Sequence, residues 1–152
     1  MPIDASQAFT TRSMRFEPLW LVTFQAPAED VDRVLAAVTA VTPLQLGKYD
    51  RNAFETATGT EHYRPLAGAA AGAEGETRHR PGVCEVSFQL MRDPAVLDAV
   101  VEAIFAVHSY EEPVILVREI LASRALGLPD KDNPHRWWNQ GGDWKKTAEA
   151  TA

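Results

Sequence analysis

The sequence predicts an α+β domain of βαββαβ order, a single sheet with two helices packed on one of its faces. Two observations carry that expectation. Residues Glu29 to Val41 and Asp93 to His108 each place apolar side chains on one helical face, and strand-like runs rich in β-branched and aromatic residues stand before both and after the second. Between the two units lies a stretch of glycine, threonine and aromatic residues suited to a short, irregular pair of strands.

Taken in order, Leu19-Trp20-Leu21-Val22-Thr23-Phe24 is bulky and β-prone, with Pro27 just beyond it, as expected of a buried strand. Glu29, Asp30 and Asp32 then put negative charge where a helix N-terminus favours it. Val31, Val34, Leu35, Val38 and Val41 follow the spacing of one helical face until Pro43. From Gly47 to Pro65 the chain predicts one or two irregular strands, with Gly59 at a bend or bulge. Leu66 to Pro81, with Gly68, Gly72 and Gly75 among alanines, predicts a mobile loop that carries Arg78, His79 and Arg80 at its tip. In Val83 to Leu90 the residues Cys84, Val86, Phe88 and Leu90 alternate with wetter ones, so Cys84 is expected to face inward as a small, inert hydrophobe. Asp93-Pro94 supplies an N-cap followed by proline at the first helical position, and Leu97, Val100, Val101, Ile104 and Phe105 form the predicted buried face. Val114 to Val117 is continuously apolar, which predicts a central or doubly covered strand.

These elements describe a ferredoxin-like plait with an antiparallel sheet. Right-handed crossovers place both helices on one face, which leaves the other face for a partner subunit to cover. The predicted organisation is an N-terminal arm over residues 1–17, the plait over 18–122 and a C-terminal extension over 123–152. Trp137, Trp138 and Trp144 crowd into that extension and are expected to dock on the domain body or on a neighbouring subunit, because each buries a large apolar area when packed.

Composition narrows the functions. The 152 residues are 45% hydrophobic and 24% charged, an ordinary globular balance, and no apolar run approaches the roughly 20 residues of a membrane span. A formal charge of −6 without a basic stripe disfavours nucleic acid. Met1 to Arg15 holds no basic segment followed by an apolar stretch, so the expected location is the cytoplasm. One cysteine excludes an internal disulfide. No Ser-His-Asp order, His-Glu-x-x-His helix or phosphate-binding glycine loop is present.

Two further stretches carry a family resemblance. Gly47-Lys48-Tyr49-Asp50, Phe54, Thr58-Gly59-Thr60 and Tyr63-Arg64-Pro65-Leu66 form the first, and His108-Ser109-Tyr110-Glu111-Glu112-Pro113 the second. Together they resemble the CutA/PII-like accessory domain of the Nif-three family, over about residues 19 to 120. Ser109 stands where that pattern has proline, and Ala69-Ala70-Ala71 replaces its Asn-Pro segment. The resemblance implies a ferredoxin-like subunit that assembles as a homotrimer. It does not extend to the larger Nif-three domain with its dinuclear metal ligands, so the cyclohydrolase label of that family is not implied.

The candidate site residues follow. His108, Glu111 and Glu112 bring an imidazole and two carboxylates together, a competent set for a divalent metal ion, although the same residues suit a helix C-cap. Lys48, Tyr49, Arg51, Arg64 and Tyr110 are candidates for holding a small anionic ligand beside the glycine-rich loop. His62 and His135 read as ordinary polar residues. The expected function is a small oligomeric binding or regulatory module with a small-molecule or protein partner. A divalent-metal-binding protein of the CutA kind is the alternative, and a hydrolase using Glu111 and Glu112 is the third reading.

Overall fold

The long strand that begins at Met14 is the spine of the sheet. The structure, a computed structural model, describes residues 2–127 and 130–147. Its strands are β1 (Phe9–Thr10), β2 (Met14–Pro27), β3 (Phe54–Glu55), β4 (Gly59–Tyr63), β5 (Arg78–Leu90) and β6 (Ile115–Ala125), and its helices are α1 (Val31–Val41) and α2 (Pro94–Val107). β2 pairs antiparallel with β6 from Met14 to Phe24 and with β5 from Trp20 to Pro27, while β4 and β3 pair with the far side of β5. The resulting order β6-β2-β5-β4, antiparallel throughout, is that of the ferredoxin-like plait.

Alternation along β2 and β5 sets the core. Val22, Phe24 and Ala26 face the helices together with Cys84, Val86, Phe88 and Leu90, and they meet Val31, Val34 and Val38 of α1 and Val100 and Ile104 of α2. Each fully buried aliphatic or aromatic side chain here contributes about 1.5–3 kcal/mol of transfer free energy. Cys84 lies inside, as its position in the alternation predicts, and loss of hydration pushes its thiol pKa up, which makes it a poor nucleophile. α2 starts as predicted, with the Asp93 carboxylate accepting from the Ala95 N–H at 3.0 Å and Pro94 in the first turn.

Several local expectations are corrected. β2 starts at Met14, inside the segment read as an arm, because its first residues are held by partners far along the chain. Phe16 pairs with Phe9 and Ser123, and the Phe9 and Phe16 rings stack with centres 4.5 Å apart. Arg78, His79 and Arg80 belong to β5 rather than to a loop tip, since Tyr63, His62 and Glu61 of β4 pair with them. Phe105, read as a buried residue, is exposed. β6 is an edge strand paired only with β2, not a central one, and Leu116 and Val117 remain 39% and 43% exposed. In the extension, Trp137 and Trp138 are 57% and 48% exposed, so they are not buried on the domain body. Their turn is tied locally by the Arg136–Asp130 ion pair and by the Trp138 indole N–H donating to the Lys131 carbonyl at 3.0 Å. Residues 128–129 and 148–152 of the extension lie outside the described residues.

Truncating the buried Ile104 to alanine is expected to cost about 2–5 kcal/mol, and removing the Asp93 cap by Asp93→Ala about 1 kcal/mol. Urea unfolding midpoints measure both, and an Ile104→Ala midpoint equal to wild type would contradict the packing described.

Candidate functional site

Leaving α2, the chain turns sharply, and the turn is held by one side chain. His108 occupies the C-cap position, with its backbone N–H donating to the Ile104 carbonyl. Its ring Nδ1 accepts the Tyr110 N–H at 3.0 Å, which leaves Nε2 as the protonated nitrogen that donates to the Gln25 carbonyl at 2.7 Å. The imidazole therefore joins the end of β2 to the α2–β6 turn and uses both nitrogens in doing so. Beside it, the Ser109 hydroxyl donates to Asp30 at 2.5 Å, and Arg33 pairs with the other oxygen of the same carboxylate at 2.9 Å. A proline at position 109 could not make that bond. The Ser109 hydrogen bond, helped by Arg33 and opposed by burial, holds the Asp30 carboxyl below the usual carboxylate range.

Fixed in this way, Tyr110 reaches across the end of the sheet. Its hydroxyl donates to Glu61 of β4 at 2.8 Å, and its ring stands edge-on to His108, with ring centres 4.7 Å apart. The Arg80 guanidinium lies 4.8 Å from the centre of the Tyr110 ring and 5.5 Å from that of Tyr63, and it donates to the Tyr63 hydroxyl at 2.9 Å. Burial foremost, then the Glu61 carboxylate, pushes the Tyr110 phenol pKa well above its usual range, with Arg80 offsetting part of the rise.

A cleft of about 760 Å³ opens here, lined by β4, the start of β5, the alanine-rich loop after Pro65 and the Ser109 to Val114 turn. Gln25 and Glu85, register partners that alternate with the helix-packed residues, form part of its wall, so the cleft lies on the helix-free side of the sheet. The loop that forms one wall is latched to the turn by its Ala70 N–H, which donates to Glu111 at 3.0 Å. Of the side chains around the cleft, Glu61, Glu85, Glu111 and Glu112 are acidic, Arg80 carries the one guanidinium, and His62 adds an imidazole to the lining.

The predicted site residues divide between two regions. Tyr110, Glu111 and Glu112 line the cleft, with His108 directly behind them. Lys48, Tyr49, Arg51 and Arg64 do not line it; all four are exposed, and Lys48, Tyr49 and Arg51 belong to the α1–β3 connection, where Leu46 and Tyr49 bridge to each other. Among the described residues no group of three or more His, Cys, Asp or Glu side chains is placed to hold a metal ion. Glu61, Tyr63 and Arg80 are among the cleft residues that sequence reasoning did not select as site residues. Their signal was the β4–β5 pairing, which a local window does not contain.

The fold comparisons agree with this architecture. The chain is similar to a NIF3-related protein from Bacillus cereus, with a TM-score of 0.59 and 18% identity over 72% of this chain and 27% of that one. It thus spans about a quarter of the length of that protein. The divalent ion tolerance protein CutA1 from Ehrlichia chaffeensis aligns with a TM-score of 0.48 and 17% identity, over 66% of this chain and 79% of that one. The apo form of CPII from Thiomonas intermedia K12, a nitrogen regulatory PII-like protein, aligns with a TM-score of 0.42 and 9% identity, over 73% and 98%. No family model matches the chain, and no curated protein does. By its own strand order and element sequence the chain is an α+β protein with the ferredoxin-like plait. Within that class its structural neighbours are NIF3-related, CutA and PII-like proteins.

The Asp30–Ser109 contact gives a pH test. A carboxyl whose folded pKa is depressed contributes stability above its unfolded value, near 3.8, and loses it as pH falls through the lower folded value. The stability gap between wild type and Ser109→Ala is expected to stay flat from neutral pH to about 5 and to narrow below about 4. Urea titrations across that range measure it, and a gap that persists unchanged into strong acid would rule out the charge-assisted bond.

Proposed function

We propose that this chain is a small, self-associating binding or regulatory module that takes a small molecule in the cleft beneath Tyr110. The observation that carries the reading is the cleft itself. It is large enough for a drug-sized ligand, and its wall is prearranged by the Tyr63–Arg80–Tyr110 stack and the Glu61 hydrogen bond. The predominance of carboxylates over the single guanidinium favours a neutral or cationic molecule over the small anion that Lys48, Arg51 and Arg64 suggested. The metal reading of His108, Glu111 and Glu112 has less support, because both His108 nitrogens and one Glu111 oxygen already hold backbone groups.

Self-association is supported by the helix-free side of the sheet and by its free β6 edge. Leu21, Leu116 and Ile120 lie on that side, and an uncovered edge strand with exposed leucine and valine invites a partner. The homotrimer is the assembly implied by the sequence resemblance. No helix among the described residues is long and apolar enough to cross a membrane.

Native mass spectrometry at micromolar protein is expected to show a trimer that Leu116→Glu converts to monomer; wild type found only as monomer would remove self-association. A thermal-shift panel of small cations, anions and neutral molecules is expected to return a ligand whose stabilising effect disappears in Arg80→Met. Stabilisation that survives this change would place the ligand elsewhere.

A further inference from the structure

The β4–β5 ladder sets His62 directly opposite His79. The two imidazole rings stand with their centres 4.5 Å apart and their planes at 81°, and both residues are exposed. Neither ring makes a hydrogen bond or an ion pair in the structure, in contrast to His108, whose two nitrogens are both engaged. Two exposed imidazoles thus stand side by side on a paired ribbon with none of their four nitrogens bonded to another group of the protein. His62 falls between Glu61 and Tyr63 along β4 and so projects to the opposite side of the hairpin from the stack beneath Tyr110.

We propose that His62 and His79 form a two-histidine site for a borderline divalent ion, taken most tightly as Cu(II), with water completing the coordination. Neutral imidazole is a good donor for copper, nickel and zinc, and the order of affinities for such a site peaks at copper. Two imidazoles bound to one ion through metal–nitrogen bonds of about 2.0–2.1 Å hold their ring centres roughly 4.5–5 Å apart, so the observed spacing needs little rearrangement. Strand pairing fixes the two Cβ atoms before the ion arrives, which lowers the entropy lost on binding. Calcium and magnesium are poor occupants, since they demand oxygen ligands and this pair offers none. Among the described residues no third protein ligand completes the set, so the site leaves open positions for exchange and is of the loading kind rather than a closed structural one. His62 also lies on the lining of the cleft, but the metal site uses none of the Tyr63, Arg80 and Tyr110 side chains on which the proposed ligand rests, so the two readings stand independently.

The test uses the tag-free full chain, titrated calorimetrically with copper(II) chloride and zinc chloride in a non-coordinating buffer. One ion per chain is expected, with copper tighter than zinc, and frozen-solution EPR of the equimolar copper complex should show coupling to two imidazole nitrogens. His62→Ala and His79→Ala should each weaken copper binding at least tenfold, and His62→Gln and His79→Gln should behave alike with unchanged circular dichroism. His135→Ala should bind as wild type does. Copper affinity unchanged in the His62→Ala/His79→Ala double variant, affinity lost in His135→Ala, or no copper binding by wild type would each overturn the proposal.

Discussion

The double pairing of β2 is the constraint on which the rest of this molecule depends. One strand serves both β5 and β6, so its register fixes three things together: the apolar face presented to the helices, the mixed face presented to the open side, and the point at which the chain leaves the sheet at Pro27. A slip of one residue along β2 would drive Gln25 and Thr23 into the core and expose Val22 and Phe24. The two helices hold this register from one side only. On the other side Thr23 and Ser87 face each other across the strands, with hydroxyl oxygens 2.7 Å apart, so the polar pair also marks the register.

The end of β2 extends that constraint to the site. Gln25 accepts from His108 at its carbonyl and donates its own N–H to the carbonyl of Val114, so the α2–β6 turn is fastened to the sheet by backbone groups at both ends. Asp30 adds a third fastening through Ser109. Tyr110 needs all three, because its phenol must arrive at Glu61 from across the sheet while its ring lies against Arg80. Here an imidazole acts as a rivet, and the placement of the aromatic wall follows from ordinary hydrogen-bond satisfaction near a helix end.

Much of the fold was legible because it is written locally. The period of α1, the Asp93-Pro94 start of α2 and the alternation from Val83 to Leu90 each reflect forces acting within a few residues, and the structure repeats them closely. What a local reading missed is non-local. The first residues of β2 are strand because Phe9 and Ser123 lie beside them, and the edge position of β6 cannot be told from an apolar run that a central strand would share. At the site, Tyr110, Glu111 and Glu112 were visible as a compact motif, whereas Glu61, Tyr63 and Arg80 become site residues only once β4 and β5 pair. The cationic residues Lys48, Arg51 and Arg64 were grouped by closeness in sequence to the glycine-rich loop, and the fold leaves all three off the lining of the cleft.

The irregularity in the β4–β5 ladder has a further meaning. Two steps along β4, from Gly59 to Glu61, are matched by three along β5, from Val83 to Arg80, with Gly82 in the left-handed region at φ 77°. The extra residue reverses which side of the ribbon every later side chain takes. Arg80 therefore joins Val83 and Glu85 along the cleft wall, and His79 is handed to the other side. The bulge works as a parity switch: were the three steps from Val83 to Arg80 paired one for one with β4, Arg80 would turn away from the cleft and His79 would face it, with the same sheet and the same helices. Two chemically distinct surfaces of one hairpin are thus set by whether one residue between Arg80 and Val83 is bulged out of the ladder or paired within it.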